Sequence, residues 1–208
     1  MKLIYTPLKG LVHKVQVVAT EAGVYDDLEK VPTIPYEQTS EHVAANPLSK
    51  VPTLILDDGT PLYGGPVIYE YFDSLHDGPK MFPPPDTKER FVTLRRLALG
   101  DNIFDITNTR NIETDRPPEH VSQKHLTRVD NQIRRAIDRA NEEAESFSGF
   151  TIGLISIACG LHYQDWHRDL GADLKDWRPG RDKLVAWFDK FTDRPSFVPR
   201  DDERPVNA

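Results

Sequence analysis

Cysteine is nearly missing: Cys159 is the only one in 208 residues. No disulfide can close within the chain and no multi-thiolate metal site can form, which agrees with a reducing compartment. Long apolar runs are missing too, since none approaches the roughly 20 residues needed to cross a bilayer. The opening Met1-Lys2-Leu3-Ile4-Tyr5 is interrupted by Thr6-Pro7 too soon for a signal peptide and reads as a first strand, so the expected location is cytoplasmic. Positive charge is in deficit, with 26 Lys and Arg against 33 Asp and Glu and a net charge of −7. A nucleic-acid binder needs a concentrated basic surface, so that class is excluded. The richest basic stretch, Lys124 to Arg139, is interleaved with Asp130 and Asp138 and carries apolar residues at helical spacing, as a solvated helix face does. The histidines form no metal pattern, because His120 and His125, like His162 and His167, are five apart rather than the three or four that share a helix face; no metal is expected. The chain also has no G-x-S-x-G elbow, no phosphate loop and no G-x-G-x-x-G.

What is present falls into two halves. Leu3-Ile4-Tyr5 reads as a strand, and Leu11, Val12, Val15, Val18 and Ala19 recur at helical spacing until Gly23. Leu28 to Ile34 returns as a second strand, completing a βαβ unit. After a loop, Thr53-Leu54-Ile55-Leu56, the turn Asp57-Asp58-Gly59-Thr60 and Pro61-Leu62-Tyr63 form an antiparallel hairpin. A helix then opens at Pro66 with Val67, Ile68, Tyr71, Phe72 and Leu75 as its apolar stripe. The proline run Pro83-Pro84-Pro85 makes a stiff connector. Beyond it the pattern is helical only: a long helix through Phe91, Leu94, Leu97 and Ile103 stops before Pro117-Pro118. A second follows through Leu126, Val129, Ile133 and Ile137. Ile152 to Tyr163 is apolar all round, as in a buried central helix, and Leu184, Trp187, Phe188 and Phe191 mark a last one. The expected organisation is an α/β domain over 1–77, a linker over 78–86 and an all-helical domain over 87–208.

A βαβ–ββα unit, a proline linker and a helical domain together resemble the glutathione S-transferase superfamily, of the cytosolic type of bacteria and fungi. The family has a thioredoxin-like domain followed by a helical bundle. The likeness is carried by Asn46-Pro47-Leu48-Ser49-Lys50-Val51-Pro52-Thr53-Leu54 with Asp57-Asp58-Gly59-Thr60 and Ile68-Tyr69-Glu70-Tyr71. Lys14-Val15 and the late Trp187-Phe188 with Arg194-Pro195-Ser196-Phe197 add to it. A cis Val51-Pro52 bond would turn the N–H and C=O of Val51 outward to pair with an extended peptide. The resemblance implies that Val51 and Pro52 hold the cysteinyl part of glutathione in this way, like an added strand, and that Lys50 contacts the glycyl carboxylate. It further implies a homodimer that joins the glutathione thiolate to a small hydrophobic electrophile.

The sequence departs from the family at the residues that handle glutathione. Relatives place Tyr, Ser or Cys after the first strand to hydrogen-bond the sulfur and favour thiolate at neutral pH. Here the stretch is Thr6-Pro7-Leu8-Lys9-Gly10-Leu11, in which either the Thr6 hydroxyl or the Lys9 ammonium is the candidate, with Gly10 beside them at the helix start. Before the third helix, an acidic residue and a serine that grip the γ-glutamyl group in relatives are replaced by Gly64-Gly65, leaving backbone N–H groups at a helix N-terminus as anion donors. In Thr151-Ile152-Gly153-Leu154, Leu154 stands where the family's capping box has Asp, a loss of about 1 kcal/mol unless packing offsets it. The alternative to a glutathione transferase is therefore a non-catalytic binding or regulatory relative.

Overall fold

The computed structural model describes residues 1–6 and 9–198, and of residues 9–13 and 35 the backbone alone. They form two compact units, Met1–Phe82 with the segment from Arg194 on, and Pro83–Asp193. Among the described residues no helix is long and apolar enough to cross a membrane.

The first unit is built on four strands in the order β2-β1-β3-β4, with β1 at Lys2–Tyr5, β2 at Glu29–Pro32, β3 at Thr53–Ile55 and β4 at Pro61–Tyr63. β1 runs parallel to β2 and antiparallel to β3, and β3 is antiparallel to β4. The crossover helix α1 spans Lys9–Glu21 and stops before Gly23, which takes a φ of +73°, a conformation that costs glycine nothing. In α1, Val15, Val17, Val18 and Ala19 are buried to the last few per cent. The hairpin turn closes with Leu56 and Thr60 joined through their backbones and Gly59 at φ +85°. Helix α3 spans Gly65–Ser74 with proline in its first turn, where the missing N–H leaves no bond unmade. The far end of α3 is held by the buried carboxylate of Asp73, which accepts from the N–H groups of Met81 at 2.8 Å and Phe82 at 3.1 Å.

A short helix, α2, at Ser40–Ala45 occupies part of what the sequence reads as loop. Its six residues are too few to show a period, but Thr39 caps it by accepting from the His42 N–H at 3.3 Å. The segment from Arg194, grouped with the helical half on sequence, packs instead on α1: Arg194 and Ser196 both bind the Glu21 carboxylate, at 2.8 and 2.6 Å.

The second unit is helical: α4 at Lys88–Thr114, α5 at Gln123–Glu143, α6 at Ile152–Asp169 and α7 at Asp182–Thr192. Helix α6 is its centre, with ten consecutive residues, Ile152 to Leu161, buried. It lies close along α4 because Gly100, Gly153 and Gly160 let the two backbones approach: a Cβ on Gly100 would meet the backbone of Ser156 and Ile157 at 2.3–2.5 Å. The basic stretch within α5 is paired along its surface, Arg134 with Asp138 and Arg139 with Glu142, both at 3.1 Å.

Candidate functional site

Strand register brings most of the sequence candidates to one end of the sheet. Ile4 lies opposite Thr53, and Thr53 opposite Tyr63. Thr6 just beyond β1, Val51-Pro52 just ahead of β3 and Gly64-Gly65 just after β4 therefore leave the sheet at the same end. Lys9 and Gly10 open α1 a few residues after Thr6; their side-chain positions lie outside the described residues.

The Val51-Pro52 bond is cis. Among the described residues neither the N–H nor the C=O of Val51 meets a hydrogen-bond partner, and its side chain is half-buried. Such a pair of open main-chain groups at a sheet end can take up an extended peptide. The loop that presents them is fixed from behind. The Lys50 carbonyl accepts from Asn46 Nδ2 at 2.8 Å, Thr53 Oγ1 at 2.8 Å and His42 Nε2 at 3.2 Å. The Asn46 amide also donates to Thr53 Oγ1 at 3.0 Å, while its Oδ1 accepts from the Leu48 N–H at 3.0 Å. Both His42 and Asn46 are 1% exposed. With its carbonyl anchored, Lys50 sends an exposed side chain outward. Sequence reasoning did not single out His42 or Asn46 as supports. The available signal was a polar pair, four and eight residues before Lys50, in a segment otherwise poor in structure.

At the neighbouring corner, Gly64 caps α3 with a φ of +89°, and the N–H groups of Gly64 and Gly65 have no partner among the described residues. Thr6 is 2% exposed, so its hydroxyl offers a ligand little surface. One turn into α3, the buried ring of Tyr69 lies against α1, with Lys14 Nζ 5.7 Å from its centroid.

Residues 11–75 match the family model of the glutathione S-transferase N-terminal domain. Over 94% of its length the chain is 32% identical to a glutathione transferase family member from Pseudomonas fluorescens Pf-5, covering 96% of that chain with a TM-score of 0.82; that crystal structure has bound glutathione. The chain belongs to the glutathione S-transferase family. A glutathione S-transferase from Methylobacillus flagellatus KT, solved with glutathione bound, is 27% identical with a TM-score of 0.85, the match covering 99% of each chain. An uncharacterized GST-like protein of Escherichia coli K12, YibF, is 27% identical over 202 residues, 95% of this chain and 96% of the other. The α/β unit with its mixed four-stranded sheet is thus the family's thioredoxin-like domain, and the second unit its helical domain. The matched N-terminal segment contains Lys50, Val51, Pro52, Gly64 and Gly65 and begins after Thr6, Lys9 and Gly10.

Proposed function

We propose that the chain is a glutathione transferase that lays the tripeptide along Val51 and joins its thiolate to a small hydrophobic electrophile. The observation that carries this reading is the pair of open main-chain groups on Val51 at the end of β3, in a chain whose relative from P. fluorescens has bound glutathione. In this reading Val51 and Pro52 hold the cysteinyl residue, Lys50 faces the glycyl carboxylate as a point charge, and Gly64 and Gly65 offer backbone N–H groups to an anion at the positive end of α3. Thiolate formation falls to Thr6 or Lys9 beside Gly10 at the start of α1. An ammonium stabilises a thiolate by charge and a hydroxyl by hydrogen bonding, and the helix dipole assists either. The burial of Thr6 favours Lys9 of the two. Family membership also supports a cytoplasmic homodimer, which light scattering on the purified protein tests directly.

A second reading, a binding or regulatory relative without turnover, is favoured by the bare Gly64-Gly65 corner and by the burial of Thr6. Calorimetric titration with glutathione at neutral pH and low salt separates the two when followed by an electrophile screen. Saturable binding with turnover that Lys9→Ala or Thr6→Ala slows supports the transferase. Binding without turnover of any electrophile supports the second reading, and no binding at millimolar glutathione removes the tripeptide from both.

A further inference from the structure

A cavity of about 390 Å³ lies within the helical unit, lined by Lys88, Glu89, Thr93 and Arg96 of α4 and by Ser148 and Thr151 ahead of α6. The two helices meet closely there, since a Cβ on Gly153 would lie 2.5 Å from the Thr93 carbonyl oxygen and 2.8 Å from Arg96 Cβ. Arg96 is fixed along one edge. Its Nε donates to Glu143 at 3.3 Å, its Nη2 donates to Ser146 Oγ at 2.8 Å, and its guanidinium lies 4.7 Å from the centroid of the Phe147 ring. Among the described residues Nη1 has no partner. Both oxygens of the Glu143 carboxylate accept from Arg95 at 2.7 Å, so the charge of Arg96 is not spent on that carboxylate alone. Lys88 and Ser148 are exposed, and neither the ammonium nor the hydroxyl meets a partner among the described residues. Thr93 is 3% exposed, yet its hydroxyl makes no hydrogen bond there either, whereas Thr107 and Thr109 of the same helix each bond the carbonyl four residues back. A buried hydroxyl ordinarily finds such a partner. The opening of α6 adds to the same charge: the N–H groups of Ile152 and Gly153 lack partners among the described residues, no side chain caps them, and 18 residues of helix place their positive end at Ser148 and Thr151.

We propose that this cavity binds a phosphate group, free or carried on a small molecule, with Lys88 Nζ, Arg96 Nη1 and the Ser148 and Thr93 hydroxyls donating to its oxygens and the positive end of α6 facing it. A phosphate group is close to a dianion at neutral pH, with several acceptor oxygens. Two cations and two hydroxyls converging from separate elements match that tetrahedral group better than a planar carboxylate, which one guanidinium edge satisfies. Glu89 is the single carboxylate of the lining and opposes the anion, which gives the site a signed test: removing one neighbour weakens binding and removing the other strengthens it.

The experiment titrates the full chain, labelled with nitrogen-15, with inorganic phosphate, glycerol 3-phosphate and acetate at neutral pH and constant ionic strength, following the amide signals of Ser148, Ile152 and Gly153. Both phosphates should move these signals to saturation at millimolar concentration, and acetate should not. Lys88→Ala should weaken phosphate about three- to tenfold, and Glu89→Gln should tighten it about twofold. Both side chains are exposed and hold no hydrogen bond among the described residues, so neither change unsettles the fold. Equal affinity for the two phosphates makes the group alone the ligand, and tighter glycerol 3-phosphate makes it one carried on a small molecule. Shifts that never saturate, that acetate reproduces, or that keep the wild-type affinity in both variants overturn the site. Glutathione binding is followed separately at the Val51 amide, and its failure leaves this test intact.

Discussion

Asn46 holds the turn ahead of Pro52 with one carboxamide, which donates to the Lys50 carbonyl and the Thr53 hydroxyl and accepts from the Leu48 N–H. All three bonds are lost in Asn46→Ala, in a place sealed from water, where an unsatisfied group costs about 1–3 kcal/mol. His42 and Thr53 still donate to the Lys50 carbonyl, so the carbonyl itself keeps partners and the damage falls on the turn. We expect about 2–4 kcal/mol of lost stability by urea unfolding, together with weaker glutathione binding, because the open groups of Val51 follow directly on the released loop. A stability loss without any change in affinity would mean that the turn is fixed by Thr53 and His42 alone. The turn through Lys50, Val51 and Pro52, with its cis bond, was legible in the sequence because its residues sit in a contiguous motif. Asn46 and His42 were not legible as supports, since their partner is a backbone carbonyl and no residue pattern encodes where a carbonyl will point. The close approach of Tyr69 to Gly65, where a Cβ would lie 2.7 Å from the phenol oxygen, escaped for a related reason: it depends on a rotamer.

Elements were read well where a period had room to repeat. The amphipathic spacing in α5 and the apolar run in α6 set their identities, while α2, six residues long, passed as loop. Close packing of helices was hidden, because a glycine in a helix pattern reads first as a weakness. In the structure Gly100 is where α4 meets the backbone of α6. Gly100→Ala would put a Cβ within 2.5 Å of main-chain atoms of Ser156 and Ile157, which cannot turn away as a side chain does. The helices must separate, also straining the bonds from Ser156 Oγ to the Leu97 carbonyl and the Asp101 carboxylate. A loss of about 3 kcal/mol or more is expected by thermal or urea unfolding, and a change under 1 kcal/mol would show that α4 can slide freely. The start of α6 carries the opposite prediction. Thr151 occupies its N-cap position, yet its hydroxyl caps nothing and is buried without a partner, while Leu154, in the place of the family's acid, is fully buried. The half-cap lost from the sequence is thus offset by apolar packing. Thr151→Val removes the stranded hydroxyl at nearly constant shape, so stability should hold or rise by up to about 1 kcal/mol; a clear loss would show the hydroxyl capping the helix in solution.

At the scale of the whole chain the sequence conveyed the order of the two halves and missed how the chain closes on itself. The return of Arg194 and Ser196 to Glu21 spans more than 170 positions, a separation over which composition and period carry no information. The same distance hides the charges of the fold. His162 and His167, five apart in sequence, both lie on α6 with Nε2 shut away from water. Burial lowers both pKa values below the ordinary 6.5. At His162 the Asp165 carboxylate opposes the shift and the Arg178 cation adds to it, and at His167 Asp115 opposes it. Each is therefore neutral in the native state at a pH where the unfolded chain already binds a proton. The unfolded state gains protons first, so stability is whole above about pH 6.5 and falls as the pH drops from there toward the native pKa values, by at most about 1.4 kcal/mol per pH unit for each histidine. A separate loss follows in stronger acid, as Glu143, whose pKa is held down by its hydrogen bond to Arg95, takes up a proton below the usual carboxylate range. Melting temperatures should accordingly be flat from pH 8 to 7 and decline from pH 6.5 to 5. In His162→Gln the decline should be shallower, because the substituted side chain takes up no proton in the unfolded state. An equal slope in that variant would assign the mid-range loss to groups other than His162, and a flat profile down to pH 5 would mean that both rings accept protons without leaving their places.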